Sequence, residues 1–327
     1  MLAFDDGVHV LGTEVWLDPR KRKPRAIVTH AHSDHVGRHA CWVTSPATGV
    51  IATHRWQARS VEPHPFHEPW DDEGARLTLL PAGHILGSSM VLIERAGTRL
   101  LYTGDFRLGE SATAEPCVPV AADVLVMECT FGEPRYRFPP RAEVLDQLCA
   151  FIDAAFADDV VPVLLAYALG KSQELARLVS ERGYPVALWG AAHAMLSVYR
   201  ELGVSFGSCE PLDEQTPGRM EQLREQRRVV IVPPQRSAAD VLRSFPRRRT
   251  AFVSGWAIAP HVAWRPASDA AFAISDHADF DGLIEMVERV KPRKIFTLHG
   301  PDSFAGELRQ RGWDATPARH ANQLTLL

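Results

Sequence analysis

The sequence predicts a mixed α/β fold in which a strand-rich domain is interrupted by a compact insertion of alternating helices and parallel strands. Three observations predict it. Short apolar strands with tight turns run through residue 135, longer helices alternating with apolar strands follow from 136, and after 268 the earlier succession of strand, histidine and helix returns. A domain that resumes after an interruption holds an insertion, so the expected division is 1–135 with 269–327 as one domain and 136–268 as the other.

In order along the chain, residues 7–11, 14–17, 26–29, 76–80, 90–93, 99–102 and 123–127 are dominated by β-branched and apolar side chains and read as strands. A helix is predicted after Ser45-Pro46, because serine caps a helix and proline fits its first turn. From 136 the pattern predicts helix 142–157, strand 161–166, helix 171–181, strand 185–189, helix 192–202 and strand 229–232. Residues 203–228, rich in Gly, Pro, Asp, Glu and Arg, read as the least structured segment, with breaks at Pro233-Pro234 and at 246–249. Strand 271–274, helix 281–290 and strand 294–298 complete the pattern.

The 327 residues are 46% hydrophobic and 23% charged, average globular usage that excludes disordered, collagen-like and low-complexity classes. No apolar run approaches the roughly 20 residues of a membrane-spanning helix, and residues 1–6 lack the basic start and apolar stretch of a signal peptide. A cytoplasmic protein with no membrane partner is expected. Cys41, Cys117, Cys129, Cys149 and Cys209 are scattered and never spaced C-x-x-C, so free thiols are expected rather than disulfides or a thiolate zinc cage. The formal net charge of −4 argues weakly against a nucleic-acid partner, since bound divalent cations would offset it and local charge decides where phosphates sit.

The decisive stretch is Thr29-His30-Ala31-His32-Ser33-Asp34-His35, an H-x-H-x-D-H pattern launched from an apolar strand. Imidazoles at i and i+2 on a loop can close on one metal ion while Asp34 and His35 turn toward a second. Three further candidates stand at the ends of predicted strands, where loops gather side chains: His84, Asp105 and His299. Imidazoles and carboxylates without thiolates favour zinc or manganese, and a carboxylate shared by two ions suits hydrolysis of phosphate esters or acyl bonds.

Elsewhere, Gly170, Lys171 and Ser172 open a helix, where backbone N–H groups and a cation could receive a phosphate; an ordinary strand-to-helix turn with a solvated lysine is the alternative. The turn at Ser254 and Gly255 offers a second such place. Basic residues cluster at Arg20–Lys23 with Arg25, at Arg135, Arg137 and Arg141, at Arg224, Arg227 and Arg228, and at Arg247–Arg249; one or two of these clusters are expected to touch a nucleic-acid backbone, the rest to be solvated. Tyr136 and Trp256 could stack on bases, with core packing the alternative for Trp256.

These motifs resemble those of the metallo-β-lactamase-fold nucleases that carry an inserted β-CASP domain, across essentially the whole chain, and are most similar to the bacterial exonucleases associated with DNA ligases in repair. The resemblance implies an αββα metallo-β-lactamase sandwich with an inserted compact β-CASP α/β domain. It implies two Zn2+ ions, with Mn2+ as the substitute, held by His30, His32, Asp34, His35, His84, Asp105 and His299, with Asp105 bridging. Asp18 matches the aspartate that holds the histidine loop from behind. Glu128 and His277 match the acidic and the first histidine motifs of the insertion; Glu128 would hold His277, the general acid, and Asp34 is counted with them in catalysis.

The implied activity is metal-dependent phosphodiester hydrolysis, as a DNA exonuclease in DNA repair, with DNA favoured over RNA and other repair proteins such as a ligase as partners. His299 stands where the DNA cross-link repair branch has an aliphatic residue, which favours the alternative of an RNA-processing or RNA-decay nuclease. Pro301 departs from the acidic residue expected after His299-Gly300. A small-molecule metallohydrolase is opposed by Glu128 and His277, and a catalytically silent scaffold by the full ligand set.

Overall fold

Alternate residues of a strand point to opposite faces, and the long strands of this chain are apolar on both, so each sheet requires cover on two sides. The computed structural model describes residues 2–212, 219–234, 238–243, 245–259 and 268–321. The chain divides into two compact units, 1–135 with 277–327, and 136–276.

The first unit begins with β1 (Leu2–Ala3), β2 (Val8–Val10), β3 (Trp16–Leu17), β4 (Arg25–Ile27), β5 (Cys41–Thr44), α1 (Pro46–Trp56) and β6 (Val61–Pro63). It continues with β7 (Trp70–Asp72), β8 (Ala75–Pro81), β9 (Ser89–Arg95), β10 (Thr98–Tyr102) and β11 (Val124–Glu128). The second unit holds α2 (Arg141–Ala157), β12 (Val161–Leu165), α3 (Lys171–Glu181), β13 (Val186–Trp189), α4 (Ala191–Glu201), β14 (Cys209–Leu212), α5 (Arg219–Glu225), β15 (Val229–Val232), α6 (Ala238–Arg243), β16 (Arg248–Val253) and β17 (Ala270–Phe272). The chain returns to the first unit for α7 (Phe280–Val290), β18 (Lys294–Leu298), α8 (Ser303–Gln310) and β19 (Ala315–Pro317).

In the first unit, β1 to β6 form one sheet in sequence order, and the other runs β19-β18-β11-β10-β9-β8-β7. Val8, Leu17, Ile27 and Val43 of the first sheet share a core with Leu79, Val91, Tyr102 and Val126 of the second. The neighbours Leu80, Met90 and Met127 face the opposite way, under Phe280, Met286 and Val287 of α7 and Phe304 and Leu308 of α8. Ala52 of α1 covers Val28 and Trp42 on the outside of the first sheet. The layers are helix, sheet, sheet, helix. Each buried aliphatic or aromatic side chain contributes about 1.5–3 kcal/mol, so the stacking follows from the strands' alternation.

The second unit is a fully parallel sheet ordered β14-β13-β15-β12-β16-β17. Leu164 and Ile231 pack under Leu148, Leu175 and Leu196 on one face, and Val163 and Val230 share the other with Leu223, Val241 and Phe245.

Several expectations change. Residues 270–272 pair with β16 inside the second unit, so the first unit resumes at 277 rather than 269. The segment 203–228 contains β14 and α5, with 213–218 outside the described residues. The expected break at 246–249 opens β16, where Arg248 and Arg249 stand at the strand's entrance and Ala251, Phe252 and Val253 are buried beside β12. All five cysteines are free, and no described helix is long and apolar enough to cross a membrane.

Candidate metal centre

The loop after β4 is built around Asp18. Its backbone is left-handed, with φ 46°, a region aspartate tolerates, and its carboxylate is 4% exposed. That carboxylate accepts the Thr29 N–H at 2.7 Å, the Thr29 hydroxyl at 2.6 Å, the Tyr102 hydroxyl at 2.9 Å and His35 Nδ1–H at 2.9 Å. Fixing the proton on Nδ1 leaves Nε2 of His35 as the coordinating atom. A Cβ on Gly104, where φ is 51°, would lie 2.7 Å from Thr29 Oγ1, so only glycine lets the end of β10 pass close enough to set Asp105 beside His30. Ser88 Oγ accepts the N–H groups of His84 and Ile85 at 3.1 and 3.2 Å, and Ser89 N–H bonds the Thr29 carbonyl at 3.0 Å, which fastens the His84 loop to the same strand end.

Among the groups of ligand-type atoms that result, two hold the motif residues: His30, His32, His84 and Asp105 bring one such atom each within 4.8 Å of one another, and so do Asp34, His35 and Asp105. Asp105 belongs to both. Its Oδ2 stands 3.5 Å from His30 Nε2, 3.3 Å from His35 Nε2 and 3.8 Å from His84 Nε2, and His84 Nε2 is 3.0 Å from His32 Nδ1. His299 approaches the second group with its ring centroid 4.9 Å from that of His35. Asp34 is exposed, unlike the buried His30, His35, His84 and Asp105.

The residues fit a bound cation. Nε2 of His30, Nε2 of His35 and Oδ1 of Asp105 are buried with no hydrogen-bond partner among the described residues, an arrangement costing about 1–3 kcal/mol per group unless a ligand satisfies it. Burial, reinforced by the charge of His35, holds His30 well below its ordinary pKa and so keeps it a neutral donor. Burial also opposes ionisation of Asp105, yet the neighbouring His35 and His277 hold its carboxyl well below the usual range. Nitrogen and oxygen donors with no thiolate suit zinc.

Beside this cluster, Glu128 ends β11, and its buried carboxylate faces His277 Nδ1 at 2.9 and 3.1 Å. The same carboxylate accepts the Phe106 N–H at 2.9 Å and the Thr130 hydroxyl. The His277 ring centroid lies 4.5 Å from that of His84. Thr29, Tyr102 and Thr130 thus serve the site without having been singled out as candidates in the sequence, where no ligand spacing marks them.

Other expected sites are spoken for. Lys171 is not solvated: it is 1% exposed, with Nζ 3.6 Å from Glu174 and 3.5 Å from Asp276. Gly170 N–H bonds the Gln173 side chain and Ser172 N–H the Tyr167 carbonyl, so these donors of the turn are used internally. Ser254 and Gly255 are buried, and Ser254 Oγ caps the following 3-10 turn. Tyr136 is buried edge-on to Trp256, at 5.4 Å between centroids, which leaves no open face on Tyr136 for a base. Most basic clusters are neutralised: Arg25 by Glu62 and Asp72, Arg135 by Glu133, Arg141 by Glu174, Arg228 by Glu210, Arg247 by Asp159 and Arg249 by Asp158. The Arg224 side chain lies outside the described residues.

Fold and site together define the class of metal-dependent hydrolases with an αββα sandwich. Residues 270–320 match the family model described as the Zn-dependent metallo-hydrolase RNA specificity domain. A protein of Opitutus terrae named "Probable DNA ligase" is 40% identical over 330 residues, which cover 99% of this chain and 32% of that one. Endoribonuclease YSH1 of Candida albicans is 34% identical over 123 residues, 37% of this chain and 14% of its own length, and Cleavage and polyadenylation specificity factor 73 of Drosophila melanogaster is 33% identical over 118. The chain thus spans about a third or less of the length of these relatives. A crystal structure of a protein of unknown function from Enterococcus faecalis shares the fold with TM-score 0.60 at 13% identity, over 89% of this chain and 78% of that one. These matches support the metallo-β-lactamase-fold nuclease family with a β-CASP insertion as the family that this chain resembles.

Proposed function

We propose that this chain hydrolyses phosphodiester bonds of nucleic acid, as a DNA exonuclease in repair, using a pair of zinc ions for which manganese can substitute. The observation that carries the reading is the convergence of two ligand groups on Asp105 beside a hydrogen-bonded Glu128–His277 pair. His30, His32, His84 and Asp105 would hold one ion, and Asp34, His35, Asp105 and His299 the other. When bound, the ions supply Lewis-acid polarisation of a phosphoryl oxygen and activation of water.

The chain's own groups do the rest. Glu128 fixes the proton of His277 on Nδ1 and orients the ring, so that Nε2 is the atom that hands a proton to the leaving oxygen. Asp34, exposed next to His35, would hold the second ion through one carboxylate oxygen and orient the attacking water with the other. Asp18 keeps His35 in the coordinating tautomer.

DNA is favoured because the match covering 99% of the chain is to a protein named as a DNA ligase, and that match also supports action alongside a ligase. RNA is the second reading, favoured by the family model over 270–320 and by the YSH1 relatives. End-labelled single- and double-stranded DNA and matching RNA, incubated with zinc or manganese at one salt concentration, separate them. Faster loss of DNA from an end is expected. Equal or faster loss of RNA would reverse the preference, and no cleavage of either would sink the reading.

A further inference from the structure

One basic cluster differs from the others. Arg20, Lys21, Arg22 and Arg38 are exposed, and none of them forms an ion pair with any described residue, whereas the remaining clusters are largely paired with carboxylates. The loop carrying the first three is rigidly made. Asp6, 9% exposed, accepts the N–H groups of Arg20 and Lys21 at 3.1 and 3.0 Å and pairs with Lys23 Nζ at 3.2 Å. Lys23 is drawn inward, its ammonium 3.3 Å from the centroid of the Trp16 ring, which leaves the other three cations on the outside.

This loop lies against the continuation of the metal loop. Ala40 N–H bonds the Lys23 carbonyl and Cys41 N–H the Pro24 carbonyl, both at 3.0 Å. Gly37 sits so close to the Arg20 backbone that a Cβ on it would stand 2.7 Å from the Arg20 carbonyl oxygen. At 3.8 Å per residue, Gly37 and Arg38 can be no more than about 8 and 11 Å, Cα to Cα, from His35. A chain of net charge −4 whose other basic clusters are largely engaged by carboxylates thus keeps these four cations unpaired beside its metal ligands.

We propose that Arg20, Lys21, Arg22 and Arg38 form a track for the phosphate backbone of a single-stranded nucleic acid entering the metal centre. The assignment rests on the phosphodiesterase reading. Exposed cationic side chains on a hydrogen-bonded loop bind a polyanion by releasing its condensed counterions, which gives affinity without sequence preference.

The test is the salt dependence of binding, read by fluorescence anisotropy with a fluorescein-labelled, hydrolysis-resistant phosphorothioate 20-mer of DNA and its RNA counterpart. For a single strand, every phosphate that a cation no longer neutralises lowers the slope of log K against log salt by about 0.7. Arg20→Gln alone is therefore expected to flatten the slope by about 0.7, and the fourfold change to Gln by up to about 3. Arg247→Gln with Arg249→Gln, which removes carboxylate-paired arginines, should leave it unchanged. Wild-type binding with a steep slope that the fourfold variant shares would overturn the track alone. Failure of the wild-type protein to bind either strand would overturn the phosphodiesterase reading with it.

Discussion

Asp105 is the residue on which the site turns, because it alone reaches both ligand groups. Asp105→Ala is expected to lose more metal than any single histidine change, which elemental analysis of protein dialysed against zinc will measure. His277→Ala and Glu128→Ala should keep metal and fold but lose turnover by roughly 10²–10⁴-fold, the range of general acid–base catalysis. Metal loss from His277→Ala would instead make that histidine a ligand. Asp18→Asn should weaken zinc affinity by about 10–100-fold in a competition titration, since its carboxylate sets the tautomer of His35 from outside the ligand shell.

At the scale of elements, the strand ends were readable because each carries a polar residue straight out of an apolar run, as Thr29-His30 follows β4 and Glu128 ends β11. The short strands β5, β6 and β7 were not, because three or four residues show no periodicity and acquire their ladder only from a partner. One such pairing is cross-linked by side chains: Arg25 on β4 reaches over β5 to Glu62 on β6 and holds its carboxyl down at about 2. A carboxyl whose folded pKa is depressed stabilises above its unfolded value and loses that contribution as pH falls through the folded one. Glu62→Gln is therefore expected to destabilise by no more than about 1 kcal/mol at neutral pH, the pair being partly exposed. Its deficit against wild type should shrink between about pH 4.5 and 2, as read from denaturant melts.

For the whole molecule, the buried histidine cluster ties stability to metal. Burial alone would lower the pKa of His35, but Asp105 and Asp18 raise it well above its ordinary value of about 6.5. A raised pKa contributes stability that is complete below the unfolded value and is lost as pH rises through the folded one. The metal-free protein should therefore melt at progressively lower temperature as the medium is made alkaline. Zinc, which takes the place of that proton, should restore it, by about 2.7 kcal/mol at a hundredfold excess over its dissociation constant. A melting temperature indifferent to both chelator and pH would contradict this coupling.

By itself the sequence determined the two-part architecture, the metal-ligand motif and the candidates that supplement it, because alternation, helix starts and ligand spacing are local properties of the chain. The place of Asp105 between the two ligand groups, implied beforehand by the resemblance, is made by tertiary structure, because His30 and His84 come from separate segments and meet only when the sheets stack. Tertiary structure also decided which cations stay free. Lys171 and the arginine clusters look alike as sequence, and a charge's partner is set by what the fold brings opposite it: Glu174 and Asp276 for Lys171, solvent for Arg20, Lys21 and Arg22.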